Sequence, residues 1–309
     1  MSQRIFIRGA LLALPLLAAP LAALACACGC GVFDVSTAAM LPGRSGGMLF
    51  LEEDFIDQNR NYSGSSRAPA ADNEDKQVRT WMTTIGGNYS FSPSWNVAVK
   101  LPFWQRHFVT TDEDTGDVVG FDHGALGDVR IAATWSGLSA DHSTGLVIGL
   151  KLPTGDYTYA NFDRDTEIGT GTTDTLLGIW HQGNLSVAWR LNWFAQAQWQ
   201  RALAERDGYR PGNDLNVALG GYYEGSGFGN GVKLVPMLQL IFSSRGRDGG
   251  DAGKPDETGY TRTLLAPGLE VRLGSWKAYA DVALPVQQHY NGNQLAAPAL
   301  YKLILSRSF

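Results

Sequence analysis

Apolar and polar residues alternate with a period of two along most of this chain. The run 95–103 is one of the three clearest, and in it Trp95 and Val97 alternate with Asn96 and Lys100. Such a period places successive side chains on opposite faces of a β-strand, so each run predicts a strand with one apolar and one polar face. Twelve segments fit this pattern: 46–57, 76–91, 95–108, 124–136, 143–157, 172–181, 185–201, 213–224, 231–243, 258–272, 276–287 and 298–309.

The connections between these segments alternate between long and short. The long ones are 58–75, 109–123, 158–171, 202–212, 244–257 and 288–297; the short ones are 92–94, 137–142, 182–184, 225–230 and 273–275. An up-and-down barrel of twelve strands requires this alternation, with both chain ends on the short-turn side. A soluble sandwich shares the residue pattern but gives no reason for the loop pattern. The sequence therefore predicts an all-β, transmembrane, antiparallel barrel of about 12 strands over residues 46–309.

The beginning of the chain has the features of an export signal. Residues 1–25 combine Arg4 and Arg8 with a short apolar stretch and the small-residue site Ala23-Leu24-Ala25. This order predicts a signal peptide, and residues 26–45 then form an N-terminal periplasmic segment. A transmembrane helix is the alternative, but it needs a longer uninterrupted apolar stretch.

The last strand carries a second signal. Tyr301, Leu303 and Phe309 fall on one face, and Lys302 falls on the other. A terminal strand that ends on Phe resembles those of bacterial outer-membrane β-barrel proteins. The resemblance implies a location in the outer membrane, contact with its lipid and recognition by the barrel-assembly machinery. Arg307 departs from the family pattern, which has an apolar residue there.

A short repeat lies late in three strands that run toward the long loops. It comprises Lys100-Leu-Pro102, Lys151-Leu-Pro153 and Ala283-Leu-Pro285. Because proline cannot donate to a sheet ladder, each copy predicts a bulge or the end of pairing.

Two segments near this repeat indicate a narrower family. Gly127-Asp-Val-Arg130 and the run from Gly149 to Asp156 resemble the signature of the outer-membrane transporter-like family named after the meta-pathway of phenol degradation. Members are regarded as channels, so the resemblance implies passage of a small-molecule solute. It supplies no catalytic residues, and we expect no enzyme.

The polar strand faces predict the lining of the lumen. A membrane barrel tolerates charges only where water or partners reach them, so these residues indicate a solute path that is polar and leans basic. The alternative is an interior plugged by ion pairs, because twelve strands enclose little space. The small net charge of −5 gives no indication of a nucleic-acid partner. The predicted path comprises Lys100, Arg130, Lys151, Arg190, Lys233, Arg262, Lys277, Asp128, Glu270 and Asp281, with Asp54, Arg106, Glu224, Arg272 and Lys302 on the same faces.

All three cysteines lie together, at Cys26, Cys28 and Cys30. As thiolates they would suit a soft metal such as Cu(I) or Zn(II), and no other cofactor is predicted. A disulfide and a lipid-modified Cys26 are the other interpretations. A non-conducting barrel that presents this segment as a metal-binding or redox module is therefore the alternative function.

Two acidic loops could bind divalent cations through carboxylate oxygens. Both lack a complete calcium-loop pattern, so solvated loops are expected. Their acidic residues are Asp112, Glu113, Asp114 and Asp117 in one loop and Asp163, Asp165 and Glu167 in the other. His142-Ser143 falls in a short turn away from the outer leaflet, which argues against a lipid hydrolase.

Overall fold

The computed structural model describes residues 46–225, 227 and 231–309. Apart from a 3-10 turn at Ala70–Asp72, its regular structure is β. The strands are β1 Gly46–Gln58, β2 Arg60–Gly64, β3 Ser66–Arg67, β4 Asp75–Ser92, β5 Trp95–Thr111, β6 Val118–Leu126, β7 Arg130–Trp135, β8 Thr144–Lys151, β9 Asp174–Ser186, β10 Leu191–Ala202, β11 Asp214–Tyr223, β12 Val232–Arg245, β13 Tyr260–Leu273, β14 Trp276–Ala296 and β15 Leu300–Ser308. Within these ranges, no helix has the length and apolar character needed to cross a membrane.

The strands close into one antiparallel barrel. Each wall strand pairs with its neighbours in the chain, and β1 closes the circle by pairing with both β4 and β15. Strands β6 and β7 both pair with β5 and form the two halves of one wall strand, while β2 and β3 form a small hairpin at the long-loop end. The wall therefore has twelve positions, which confirms the predicted fold class.

Apolar side chains cover the outside of the barrel. Leu49, Ile85, Ile148 and Leu303 are each more than half exposed, whereas Glu52 on the inner face is only 3% exposed. This arrangement inverts that of a soluble protein and is the surface that a transmembrane barrel presents to lipid. Apolar residues also pack inside, among them Met48, Phe50, Met82, Phe194, Met237 and Ile304, so the interior is only partly polar.

The two ends of the barrel meet at the short-turn rim. The Gly47 N–H donates to the Phe309 carbonyl, and the Phe309 N–H donates to the Gly47 carbonyl, both at 2.9 Å. A Cβ on Gly47 would lie 2.4 Å from Phe309 Cζ, so a larger residue there would require this ring to move. The final residue thus extends the β1–β15 seam by one pair of hydrogen bonds.

All three predicted proline irregularities are confirmed. At Pro102 the partner of β5 changes from β7 to β6, and the skipped residues 127–129 form the break between those two strands. Strand β8 ends at Lys151, two residues before Pro153. Opposite Pro285 the register between β13 and β14 shifts by one residue. The missing N–H of proline accounts for each irregularity.

One predicted turn is displaced. The sequence placed it at 182–184, but Gly183 and Asn184 are paired with Trp193 and Asn192 in the sheet. The turn lies at 187–190, and Arg190 occupies its last position with a φ of 52°. The Gly and Asn residues suggested a turn, yet the strand continues through them because their backbone groups find ladder partners.

The last long connection is also different from the prediction. Strand β14 continues past residue 287 and folds back, and its last residues pair with β2 instead of forming an open loop. Gly292, with a φ of +72°, lies in this reversal. The segment returns beside the end of β1, where the Asn59 N–H donates to the Ala296 carbonyl.

Candidate functional site: the barrel interior

Residues 152–173, which connect β8 to β9, fold into the mouth of the barrel; we call them the inward loop. Phe162 is 8% exposed and packs in an apolar cluster with Val78, Phe108 and Leu295, which belong to β4, β5 and β14. The loop therefore touches several parts of the wall. The sequence predicted solvated acidic residues here, and this was wrong for Asp165 and Glu167, which are 4% and 6% exposed.

Arg106 fixes the middle of the inward loop. Its guanidinium donates to the carbonyl oxygens of Thr166 and Glu167, the latter at 3.1 Å, and to Thr80 Oγ1 at 3.0 Å. The Arg106 side chain is 2% exposed. Because several donors of one buried guanidinium are engaged, Arg106 holds the loop backbone at a defined depth in the barrel.

Asp128 and Lys151 fix the two ends of the inward loop. Asp128 Oδ1 accepts from the Gly155 N–H at 3.0 Å, and Oδ2 accepts from the Thr170 N–H at 3.1 Å. Lys151 Nζ lies 2.7 Å from Asp128 Oδ2 and 3.3 Å from Asp174 Oδ2. The two segments that carry the family resemblance therefore meet at this cluster. The buried ammonium group of Lys151 is paired there with two carboxylates, those of Asp128 and Asp174.

Close backbone packing completes the base of the loop. A Cβ on Gly169 would lie 2.4 Å from the Gly155 carbonyl oxygen, so side chains are excluded where the two loop arms cross. His123 of β6 packs against the outer arm: its ring stacks on Tyr159 with centroids 4.0 Å apart, and its Nε2 lies 2.9 Å from Asp156 Oδ2.

A second ionic cluster lies on the β1–β15 side of the lumen. Lys302 Nζ pairs with Glu52 and lies 2.9 Å from Asp54 Oδ1. Lys100 Nζ is 3.6 Å from Glu52 Oε2. Glu52 and Lys302 come from the two strands that close the barrel, so this cluster also fastens the seam.

A third ionic cluster lies toward the short turns. Arg272 pairs with Glu270 of its own strand and, at 2.9 Å, with Glu224. In the same half of the barrel, Tyr279 Oη donates to Asp281 Oδ2 at 2.6 Å. The inner face is therefore cross-linked at several levels.

A cavity of about 110 Å³ lies beneath the inward loop. Its lining mixes charged groups with Met82, Pro102, Trp104, Ile168 and Pro211. The charged members carry both signs, with five carboxylates and four cationic groups: Glu52, Asp54, Asp128, Glu167, Asp214, Lys100, Arg130, Lys151 and Arg245.

The predicted path residues do not form one site. Four of them line this cavity, and Glu270, Lys277 and Asp281 lie nearer the short turns. Arg262 packs over the Tyr260 ring in the outer half, 4.9 Å from guanidinium carbon to ring centroid. Lys233 lies at the exposed short-turn rim, and Arg190 lies in the displaced turn.

Sequence reasoning missed four cavity or cluster carboxylates: Glu52, Glu167, Asp174 and Asp214. Glu52 shared the inner face with Asp54, but the neighbouring Glu53 obscured the alternation. Glu167 was assigned to a solvated loop, because residues outside a periodic segment carry no information about which way they face. Because these carboxylates were left out, the predicted lumen had a more positive charge than the cavity lining that the structure describes.

The side chains of His142 and Ser143 have other hydrogen-bond partners in the part of the chain that the structure describes. His142 Nδ1 lies 3.1 Å from the Ser136 carbonyl oxygen, and Ser143 Oγ donates to Asp141 Oδ1 at 2.7 Å. The described residues also hold no group of three His, Cys, Asp or Glu side chains arranged for a metal. Cys26, Cys28 and Cys30 lie outside the described residues.

Comparison with solved structures identifies the fold. An outer-membrane channel from Pseudomonas putida F1 superposes with a TM-score of 0.67 at 12% identity, over 89% of this chain and 100% of that chain. The β-domain of the Bordetella autotransporter BrkA superposes with a TM-score of 0.50 at 12% identity, over 86% of this chain and 100% of that one. No family model and no curated protein matches, so the phenol-pathway family stays a prediction. The apolar outer wall and these neighbours together give this chain the fold of an outer-membrane β-barrel.

Proposed function

We propose that this chain is an outer-membrane channel for small solutes, with its narrowest part beneath the inward loop. The observation that carries the proposal is the cavity between that loop and the wall, lined by charged groups of both signs. In a barrel surrounded by lipid, an interior with this charge density is stable only when ion pairs or water satisfy it. Its fold likeness to the Pseudomonas putida channel supports the same conclusion.

The cavity lining carries both positive and negative groups, so the expected ion selectivity follows from this mixed lining and not from a basic lumen. Lys100 and Lys151 are both paired with carboxylates, so they attract anions less than isolated cations would. We therefore expect a narrow path for small polar solutes, without the strong anion preference that a basic lumen would produce.

Single-channel recording in planar bilayers tests the proposal, with Phe162→Ala as the informative variant. Removing the ring frees the inward loop from its apolar cluster, and we expect a higher mean conductance with more frequent transitions. Phe91→Ala is the matched control, because Phe91 is 60% exposed on the outer wall. If folded wild-type and Phe162→Ala barrels both fail to conduct, the channel proposal is wrong.

The dense ion pairing supports a second candidate, a non-conducting barrel that presents Cys26, Cys28 and Cys30. Metal analysis of the full protein before and after replacing these cysteines with serine tests it. Equal metal content in the two proteins would remove this candidate.

A further inference from the structure

The hairpin of β9 and β10 ends in an exposed apolar segment, residues 185–190, which we call the apolar tip. Val187, Trp189 and Leu185 are 80%, 74% and 71% exposed. They are the three most exposed large apolar side chains in the part of the chain that the structure describes. Apolar side chains that are grouped and exposed in this way mark a surface that meets another molecule or a membrane.

Hydrogen bonds hold the apolar tip in a defined turn. The Trp189 N–H donates to Ser186 Oγ at 3.3 Å, and the Arg190 N–H donates to the Val187 carbonyl at 3.2 Å. The Arg190 carbonyl accepts from the Glu224 N–H at 2.9 Å, which connects the tip to the residue that follows β11. The exposed side chains are therefore presented by an ordered turn that is fixed to the neighbouring hairpin.

The apolar face of this hairpin continues the lipid-facing wall. Leu177 and Ile179 are exposed on the outer face of β9, and Leu185 follows them in the same alternation. Trp193 of β10 lies over Gly183 on that face, since a Cβ on Gly183 would be 3.1 Å from Trp193 Nε1. The residues of the opposite face are polar and line a recess at the short-turn mouth of the barrel: Gln182, Asn184 and Asn192. The hairpin is therefore a ribbon with one apolar and one polar face.

The length of the ribbon matches the depth of the lipid headgroup layer. Tryptophan side chains on the outer face of a barrel mark the membrane–water interface, and Trp193 is the last one on the wall before the tip. Trp189 lies four residues beyond it. In a strand tilted by about 40°, four residues advance about 10 Å along the barrel axis. The headgroup layer on each side of the hydrocarbon core is about 5–7 Å thick, so the tip crosses this layer and reaches its surface.

We propose that the apolar tip docks into the phospholipid headgroup layer of the periplasmic leaflet, with Leu185, Val187 and Trp189 against the lipid. The short turns of outer-membrane barrels lie on the periplasmic side, which selects this leaflet. Tryptophan suits this depth, because its ring is apolar and its indole N–H can donate to polar headgroups. Arg190, at the end of the turn, adds a cation of the type that pairs with lipid phosphates. The inference goes beyond the proposed function and does not depend on conduction.

Fluorescence quenching of Trp189 tests the proposal on the full-length mature barrel in lipid nanodiscs, which leave both membrane faces open to quenchers. The signal of Trp189 is the difference between the wild type and Trp189→Phe. In phosphatidylcholine nanodiscs, we expect bromine atoms placed high on the acyl chains to quench this signal. Aqueous iodide should quench it several-fold less than it quenches free tryptophan, because the lipid covers the ring.

A double variant with Leu185→Ser and Val187→Ser should weaken the docking and raise the iodide quenching of Trp189 several-fold. Leu203→Ser is the matched control, because Leu203 is 63% exposed in a long-side loop and its replacement should leave Trp189 unchanged. Addition of phosphatidylglycerol to the wild type should protect Trp189 further, and Arg190→Gln should remove that added protection, since anionic lipids attract basic side chains at the membrane surface.

Far-UV circular dichroism verifies that each variant is folded before the quenching is compared. Strong iodide quenching of Trp189 in the wild type, together with no quenching by the brominated lipid, would overturn the inference and would indicate a periplasmic protein as the partner of the tip. Iodide quenching that is the same in the wild type and the double variant would also overturn it. A barrel that does not conduct can still pass this test, so the two proposals fail separately.

Discussion

At the scale of single residues, Lys151 shows what the pattern of the sequence can and cannot predict. The alternation of β8 predicted that its side chain faces inward. Its partners, Asp128 and Asp174, belong to other parts of the chain and became visible only in the fold. The functional role of Lys151 as a path residue stays a prediction, whereas its contacts with the base of the inward loop are observed.

Lys151→Met should destabilise the barrel by about 3–5 kcal/mol, because it leaves two buried carboxylates without their cation. Unfolding in urea, followed by tryptophan fluorescence in detergent or lipid, measures the change. Lys233→Met is the control, since Lys233 is exposed at the rim and its removal leaves no buried charge. Equal stability of the two variants would contradict the account of Lys151.

At the scale of elements, the inward loop is held against the loop 246–259 by opposite charges. Lys254 Nζ lies 3.3 Å from Asp163 Oδ2. Burial raises the pKa of Glu257 to about 7, and the positive charge of Lys254 opposes this increase. The negative charges of three carboxylates raise the pKa further; they belong to Glu74, Asp165 and Asp163. Protonated Glu257 is compatible with these neighbours, while ionised Glu257 is repelled by three carboxylates.

This raised pKa gives the contact between the two loops a pH dependence. Folding raises the pKa of the Glu257 carboxyl from 4.5 to about 7, so the protonated carboxyl favours the contact between the two loops. This stabilisation of the contact is lost as the pH increases from about 4.5 to about 7. We expect limited proteolysis of the outer loops to be faster at pH 8 than at pH 5. Glu257→Gln should reduce the difference, and Glu205→Gln should preserve it; an unchanged rate in the wild type would contradict the argument.

At the scale of the whole molecule, the barrel has an outer surface that is stable only in lipid. Leu240 on the outer wall is 47% exposed, and Leu203 in a long-side loop is 63% exposed. In a soluble protein both would be ordinary surface positions. In a membrane barrel they differ, because only Leu240 lies on a wall strand.

Leu240→Lys should cost about 2–4 kcal/mol for the barrel folded in lipid, since a charge on the lipid-facing wall is poorly solvated. Leu203→Lys should stay within about 0.5 kcal/mol of the wild type, as for an exposed surface position. Equilibrium unfolding from lipid vesicles compares them. Similar small effects at both positions would show that the wall around Leu240 does not face lipid.

Most of the wall could be predicted from the sequence, and most of the interior site could not. Most strand positions, the loop alternation and the three proline irregularities follow from local rules, namely the two-residue pleat and the missing N–H of proline. Two strand bounds were wrong: β6 begins at Val118, inside the loop predicted at 109–123, and β8 ends at Lys151, well before residue 157. The turn at 187–190 was misplaced because Gly and Asn residues can also remain inside a strand when their backbone groups are paired. The mixed charge of the cavity was missed because Glu167 reaches it from an aperiodic loop.

The order of apolar and polar residues is enough to specify a twelve-stranded membrane barrel, because it sets which face of each strand meets lipid. What fills the barrel depends on contacts that form only in the closed fold. The inward loop turns into the lumen because Arg106, Asp128 and Lys151, which come from separate parts of the wall, converge on its backbone once the sheet closes. Convergence of this kind depends on barrel closure and register, and no local pattern along the chain records it.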